Sequence, residues 1–297
     1  MQPPPPGPNE LLRFDAVEKR FSTAPFRPPL RALDGVSLDC SPGDVTGLVG
    51  PNGSGKTTTL RIAAGVLRPD GGAARVLGED PGSARARART GYMPEQPGLP
   101  GTLTPREFLS FLGRVYGLGR RERKERIGEL ARLLGLEPFL DRAMGRFSKG
   151  MAKRVGLAAA LFQRPALLLL DEPLEGLDPL GAAEVKAHLA ALARGGAGIL
   201  VSSHILSDVE EVCNRIVLLH RGRVLLEGER DAILAARDRM EVRFRGGDGA
   251  ALLEEVRRFI ESRGGRVESA GHPKEGLEAI FRRTVASSNA PGGDPPP

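Results

Sequence analysis

Three short, mostly apolar runs recur along the chain, each without the polar alternation of a half-exposed strand. They are Val45–Val49, Leu167–Leu170 and Ile199–Val201. Runs of this length are typical of strands that are buried on both faces of a parallel sheet. The stretch from residue 103 to 160 instead has apolar residues at helical spacing, for example in Glu107–Leu112. The pattern therefore predicts an α/β fold with a mostly helical segment in its middle.

The remaining segments indicate how this fold is organised. Residues 11–95 alternate strands and turns, and beyond about residue 221 short strands and one helix predict a small α+β region. Both ends are rich in proline and glycine, so we expect them to be disordered. The predicted boundaries are 1–9 for a disordered N-terminus, 10–228 for the main domain with a helical subdomain at about 97–158, 229–285 for the α+β region and 286–297 for a disordered tail. The short strands predicted beyond about residue 221 are 223–226, 240–244 and 266–268, and the predicted helix is 250–262.

Composition and charge indicate the cellular compartment of the protein more clearly than its function. The net charge is +6, but the densest basic run, Arg120–Arg126, interleaves acids. It is typical of a solvated helix face, with a face near membrane headgroups as the alternative, so we expect no nucleic-acid partner. Two cysteines, Cys40 and Cys213, fit a reduced compartment. No apolar run approaches the ~18 residues that cross a membrane, and the first residues lack a secretory signal. These features predict a cytosolic protein.

The segment after the first apolar run fits the phosphate-binding pattern Gly-x-x-x-x-Gly-Lys-Ser/Thr. It lies between the predicted strand and a predicted helix at Thr58–Ala64, which is the context that the motif requires. Backbone N–H groups and the helix N-terminus would face phosphates, Lys56 can reach the β- and γ-phosphates, and the Thr57 hydroxyl can hold Mg²⁺. The alternative is a glycine-rich turn with an exposed lysine. The predicted nucleotide-binding residues here are Gly50, Pro51, Asn52, Gly53, Ser54, Gly55, Lys56, Thr57 and Thr58.

Two carboxylates, Asp171 and Glu172, follow the second apolar run. Open α/β sheets bind ligands at the carboxyl ends of their strands. In that position Asp171 would orient a metal ion and Glu172 would polarise an attacking water. Alone, the pair fits a simple acidic turn at a strand end. Together with the phosphate-binding pattern, it favours a hydrolytic site.

Three further segments, taken with these two, carry a family resemblance. They are Phe147–Met151 at the start of a helix, Glu175–Asp178 after the acidic pair, and His204 at the end of the predicted strand Ile199–His204. In this order and spacing the chain, from about Leu11 to Glu229, resembles the ATP-binding subunit of an ATP-binding cassette (ABC) transporter. Its run Ser-Lys-Gly-Met is similar to the variant found in ABC-2-type, exporter-like subunits.

The resemblance implies roles for single residues in one half of an ATP site. Glu172 would be the catalytic base, and His204 would contact the γ-phosphate. Gln96 would touch the reacting groups and join the ATP site to the helical subdomain. Mg²⁺, which accompanies ATP, would be held by Thr57, Gln96 and Asp171.

A second half-site would come from another subunit. Ser148, Lys149 and Gly150 resemble the family's signature sequence, whose helix N-terminus meets the γ-phosphate of the opposite subunit. Lys149 departs from that sequence and adds positive charge near an anion. Ser148 is also expected to cap its helix.

Two other positions follow from the resemblance. Asp178 is similar to the aspartate of the family's D-loop, although Glu175 stands where serine is common. Phe21 would stack on adenine, and Phe26 is the alternative for that role.

The implied fold is a P-loop NTPase with a RecA-like α/β core, an antiparallel β subdomain, a helical subdomain and the small C-terminal α+β region. The implied function is to bind and hydrolyse ATP between two subunits, in a homodimer or heterodimer, and so to drive a separate membrane permease at the cytoplasmic face of the cell membrane. Export is the favoured direction. An importer subunit, or a soluble ABC ATPase that acts on nucleic acid or ribosomes, is the alternative.

Overall fold

The computed structural model describes residues 10–22, 29–234 and 249–264. These residues fall into two compact units, which divide after Leu234. The strands of the described part are β1 (Leu12–Phe21), β2 (Leu30–Cys40), β3 (Val45–Val49), β4 (Gly71–Val76), β5 (Thr90–Met93), β6 (Leu167–Asp171), β7 (Gly198–Ser203), β8 (Arg215–His220) and β9 (Arg223–Glu229). Its α-helices are α1 (Lys56–Ala63), α2 (Ala84–Ala88), α3 (Pro105–Val115), α4 (Arg120–Leu133), α5 (Lys149–Leu161), α6 (Pro179–Arg194), α7 (Leu206–Val212), α8 (Arg230–Leu234) and α9 (Gly249–Ser262).

The first unit is built on a six-stranded sheet with the order β5-β6-β7-β3-β8-β9. Its first five strands are parallel, and β9 is antiparallel to β8 at one edge. The three apolar runs are the neighbouring strands β3, β6 and β7, in which every residue is buried. Leu168 and Leu170 face one apolar core, whereas Leu167 and Leu169 face the other. The runs lack alternation because both faces of the sheet are covered.

A second, three-stranded sheet is antiparallel, with the order β2-β1-β4. Its inward side chains, such as Phe14 and Val36, share one core with Leu60 and Ile62 of α1. This sheet therefore packs beside the segment that follows the phosphate-binding pattern.

Helices α3, α4 and α5 pack against one another and form the helical segment that the sequence predicts. A capping box fixes the start of α3: the Thr104 hydroxyl accepts from the Glu107 N–H at 3.2 Å, and the Glu107 carboxylate accepts from the Thr104 N–H at 2.9 Å. Leu109, Leu130 and Val155, one from each helix, are fully buried in the same core as the sheet. That shared core joins the helical segment to β5 and β6.

The basic run at the start of α4 is only partly the solvated face that its composition predicts. Arg121 is exposed, but Arg126 is buried. The Arg126 guanidinium donates to the carbonyls of Phe162, at 2.9 Å, and Leu161. The last carbonyls of a helix have no partner within it, and Arg126 satisfies two of them at the end of α5. This structural use of one arginine could not be read from the charge pattern.

The structure changes one expectation about the C-terminal part of the chain. The sequence predicts that the short strand 223–226 leads into the small α+β region. In the structure this segment belongs to β9, the edge strand of the main sheet. The predicted helix 250–262 is α9, and it lies in the second unit. The predicted strands 240–244 and 266–268 and both predicted disordered ends lie outside the described residues.

Two global features complete the fold. Among the described helices, none combines the length and the apolar character that a membrane crossing requires. Cys40 and Cys213 are free and buried, and burial raises the pKa of each thiol to about 12. Both thiols are therefore protonated and unreactive at neutral pH.

Candidate functional site

The sheet order brings three strand ends together. β6, β7 and β3 are adjacent and parallel, with Asp171 opposite Ser202 and Val49 opposite Ser203. Their carboxyl ends therefore lead side by side into Glu172, His204 and the loop that begins at Gly50. This edge is where an open α/β sheet binds its ligands.

The loop between β3 and α1 has the geometry of an anion site. Gly55 directly precedes α1 with a φ of +114°, and a Cβ atom there would lie 2.7 Å from Leu33 and 2.8 Å from the carbonyl of Ala32. Only glycine combines that backbone with that close approach. Because Gly55 has no side chain to cap α1, the first N–H groups of the helix remain directed towards the loop.

Lys56 lies in the first turn of α1, next to Thr57, and is 7% exposed. Its ammonium donates to the carbonyls of Gly50, at 2.6 Å, and Pro51, at 3.2 Å. The cation is therefore held against the loop, where an anion could accept its hydrogen bonds. The hydroxyl of Ser54 is also buried in this loop and has no hydrogen-bond partner among the described residues.

Asp171 is tied to the backbone beside it through Ser202. The Ser202 hydroxyl donates to Asp171 Oδ1 at 2.6 Å and accepts from the Glu172 N–H at 3.0 Å. The second carboxylate oxygen, Asp171 Oδ2, is buried without a hydrogen-bond partner in the described part of the chain. A buried, unsatisfied carboxylate oxygen is costly, and oxygen ligands of this type suit Mg²⁺. The donor set of Asp171 and Thr57 therefore fits that ion.

Glu172 and His204 are in direct contact. Glu172 Oε2 lies 2.9 Å from His204 Nδ1, and the Glu172 side chain is only 11% exposed. Burial raises the pKa of Glu172, and the hydrogen bond with His204 opposes that effect. A carboxylate with a raised pKa is a stronger base than an ordinary one. The structure thus joins two of the three predicted catalytic residues.

A buried lysine that the sequence analysis did not single out also reaches this place. Lys153 Nζ donates to the carbonyls of Glu172, at 2.6 Å, and Asp171, at 3.4 Å. Burial lowers the pKa of Lys153. A signal existed for it, because Lys153 precedes the buried Leu157 by one helical turn and so shares its inward face. Ser202 was also missed, since only the register of β6 with β7 shows its neighbour.

The predicted signature residues lie at the exposed start of α5. The Ser148 hydroxyl accepts from the Met151 N–H at 3.2 Å, so Ser148 is the N-cap that the sequence predicts. Ser148 and Lys149 are exposed, and a Cβ atom on Gly150 would lie 2.9 Å from the Gly176 carbonyl. The start of α5 therefore packs against the loop that follows β6.

Two departures from the family pattern are partners of each other. Lys149 Nζ lies 2.6 Å from Glu175 Oε1, and this hydrogen bond holds the pKa of Glu175 below its usual value. Asp178, in the same loop, caps α6 by accepting from the Gly181 N–H at 2.6 Å. Both loop carboxylates thus have partners within the chain.

Gln96 lies apart from the catalytic contact. It is exposed, three residues beyond β5, and lines a cleft of about 240 Å³ with Met144, Lys149 and Lys153. No hydrogen bond joins Gln96 to the strand ends or to the phosphate-binding loop within the described residues. Lys153, which lines the same cleft, is the residue that also bonds to the end of β6.

Phe21 ends β1 opposite Leu30, which lies three residues before Leu33, the neighbour of Gly55. Its ring is 37% exposed, and the Lys19 ammonium lies 5.7 Å from the ring centroid. An aromatic side chain is therefore available at the end of β1, which pairs with the strand that contacts the phosphate-binding loop. Phe26 lies outside the described residues.

Comparison with known proteins agrees with this arrangement. Residues 33–175 match the family model described as ABC transporter. A Nod factor export ATP-binding protein I from Paraburkholderia xenovorans is 35% identical, over 86% of this chain and 83% of that protein. The chain belongs to this ABC transporter family.

Other relatives are consistent with membership. An uncharacterised ABC transporter ATP-binding protein from Synechocystis is 40% identical over 75% of this chain, but the match spans only 64% of that protein's length. The solved structure of an ATP-binding subunit of an ABC transporter is 33% identical, with a TM-score of 0.67, and covers 75% of this chain and 91% of that structure.

The comparisons confirm the predicted family and the predicted P-loop NTPase fold. They also confirm the prediction that this ABC protein is an ATP-binding ATPase component of a transporter. The roles of single residues, the bound Mg²⁺ and the domain boundaries stay predictions.

Proposed function

We propose that this ABC protein binds MgATP at the carboxyl edge of the six-stranded sheet and hydrolyses it to drive an exporter. The contact between Glu172 and His204, beside the phosphate-binding loop, is the observation that carries the proposal. It supplies a positioned carboxylate and a second polar group where the end of a nucleotide's phosphate chain would lie.

The residues divide the work as follows. Backbone N–H groups of Gly50–Thr58 and the Lys56 ammonium bind the phosphates. Thr57 and Asp171, with Gln96 on closure, hold the Mg²⁺ that accompanies ATP and neutralises part of its charge. Glu172 accepts the proton of the attacking water, and His204 hydrogen-bonds to the γ-phosphate. Phe21 stacks on the adenine ring, in the segment that leads into β2.

The second half of the site comes from another ATPase subunit, in a homodimer or heterodimer. Ser148–Gly150 and Asp178 lie on the exposed start of α5 and in the adjoining loop, so they are accessible to a partner. The N–H groups at the start of α5 are suited to a γ-phosphate. ATP would then act as the link between two chains.

Export is proposed from the run Ser-Lys-Gly-Met and from the name of the Paraburkholderia relative, a Nod factor export ATP-binding protein. The partner is a separate membrane permease, met at the cytoplasmic face where ATP is available. We further propose that the ATPase domain spans residues 10–228, with its helical subdomain at about 97–158, and that 229–285 is an additional region.

Phosphate release by the purified chain tests hydrolysis. With MgATP the wild type should release phosphate steadily, and a chelator in excess over Mg²⁺ should abolish the release. Lys56→Ala removes the ammonium that faces the loop and is the negative control. Release by the wild type that does not exceed that of Lys56→Ala would contradict the proposal.

We expect the permease to dock on the helical subdomain, and cross-linking in membranes tests this. Cysteines placed at Phe111 and Val115, which are exposed on α3, should cross-link to cytoplasmic loops of the cognate permease. The background is low because Cys40 and Cys213 are both buried. A cysteine at Phe259, exposed on α9, is the matched control. Efficient cross-linking from the α9 position alone would refute docking through the helical subdomain.

A further inference from the structure

Lys153 is 2% exposed, and no carboxylate forms an ion pair with it in the described part of the chain. Its ammonium donates instead to two successive backbone carbonyls, those of Asp171 and Glu172. Burying a cation without a charged partner is expensive. The two carbonyls that it holds belong to the proposed metal ligand and the proposed base. The unpaired ammonium is therefore buried where it can fix the backbone of both residues.

The backbone at Glu172 needs support. Its φ of +50° lies in the left-handed region, which a residue with a side chain rarely adopts. Such a conformation persists only where the surroundings fix it. Here the N–H of Glu172 donates to Ser202 at 3.0 Å, and its carbonyl accepts from Lys153 at 2.6 Å. The peptide groups on both sides of the Glu172 Cα atom are therefore held.

We propose that Lys153 is a positioning residue for ATP hydrolysis. By fixing the peptide groups at the end of β6, it aims the Glu172 carboxylate at the place where His204 meets it and where the attacking water would lie. This inference rests on the proposed role of Glu172 as base. The competing explanation is that Lys153 only braces α5 against the sheet.

Three substitutions separate these explanations. Lys153→Met keeps the length of the side chain but donates no hydrogen bond, whereas Lys153→Gln keeps a donor. Arg126→Met is the matched control, because Arg126 is also a buried cation that donates to two carbonyls of the helical segment, away from the site. Each variant is measured for kcat, KM for ATP, nucleotide affinity and Tm, with rates expressed per folded protein.

Lys153→Met should lower kcat by about 10- to 100-fold, since small misplacements of reacting groups have effects of this size. Its KM and nucleotide affinity should stay within about threefold, because the phosphate-binding loop is untouched. Lys153→Gln should recover most of kcat. Arg126→Met should lower Tm and leave kcat unchanged.

Three results would overturn the proposal. The first is a Lys153→Met protein with a lower Tm but wild-type kcat, and the second is a Gln variant that is no better than Met. If Lys153→Met does not fold, Lys153→Leu replaces it. The third result is that neither variant folds, which would identify Lys153 as a brace between α5 and the sheet. A wild type that does not hydrolyse ATP would instead refute the proposed function, so the two failures are distinguishable.

Discussion

The sheet edge and the start of α5 both carry residues predicted to meet ATP, yet the chain builds them in opposite ways. At the sheet edge Lys56, Asp171 and Glu172 are largely buried and are held by hydrogen bonds to other elements. At the start of α5, Ser148 and Lys149 are exposed, and their partners lie within one turn or on a neighbouring loop.

Because of this difference, we expect substitutions in the two regions to affect different properties of the protein. The buried edge is organised by the sheet itself, so substitutions there should change the chemistry in each chain. The exposed helix start has much of its surface available to another molecule, so substitutions there should change assembly. Three substitutions test the distinction, and the sheet edge should give the largest effect.

Glu172→Gln should lower ATP turnover by about 10²–10⁴-fold, which is the usual effect of removing a positioned base. ATP affinity should stay within about threefold, because the amide has the same size and Lys56 keeps its place. Steady-state phosphate release and equilibrium nucleotide binding measure the two quantities.

Glu184→Gln is the matched control, since Glu184 is an exposed carboxylate on α6. It should keep wild-type turnover. If Glu172→Gln hydrolyses ATP within twofold of the wild type, Glu172 is not the base.

Ser148→Arg should prevent ATP-driven dimerisation while leaving nucleotide binding by each chain within about threefold. The added side chain would occupy the exposed surface at the start of α5, and the serine cap would be lost at a cost of about 1 kcal/mol to the helix. Sedimentation of the Glu172→Gln protein with ATP, with and without the Ser148 change, measures this.

Ser262→Arg provides a comparable change of an exposed serine on α9 and should dimerise like its parent. Ser148→Ala, which lacks the bulk of arginine, should weaken the dimer less than Ser148→Arg does. An arginine variant that dimerises as tightly as its parent would show that the start of α5 does not face a second subunit.

The sequence predicts well what depends on local pattern. The apolar runs of β3, β6 and β7 identify buried strands, and the glycines and Lys56 identify the loop between β3 and α1. Because parallel strands end at one edge of the sheet, the proximity of Glu172 and His204 could also be predicted. In the structure Glu172 Oε2 lies 2.9 Å from His204 Nδ1.

The contacts that were missed depend on tertiary placement. Lys153 reaches β6 because one face of α5 turns inward, and Ser202 lies beside Asp171 because of the β6–β7 register. Arg126 was expected in solvent because its neighbours are charged, but its guanidinium is buried and donates to the carbonyls of Phe162 and Leu161 at the end of α5. Residues that are distant in sequence set all three environments. Helical spacing indicates only that Lys153 faces inward, not which groups it meets there.

The smallest effect is expected from Glu175→Ala, which breaks the ion pair with Lys149. The two side chains are 32% and 51% exposed, and exposed pairs of this kind contribute about 0–1 kcal/mol. Stability should therefore change little. Freed from Glu175, the Lys149 ammonium should instead attract the phosphates of a second subunit, so ATP-driven dimerisation should tighten by at most about fivefold. Sedimentation in the Glu172→Gln background, at low and high salt, measures the change. High salt should remove it, because exposed charges are screened.

Glu184→Ala, which removes an exposed carboxylate from α6, should have no effect on the dimer. A weaker dimer after Glu175→Ala would mean that the ion pair holds the start of α5 in its binding geometry, and the exposed half-site would then depend on intrachain contacts just as the buried edge does.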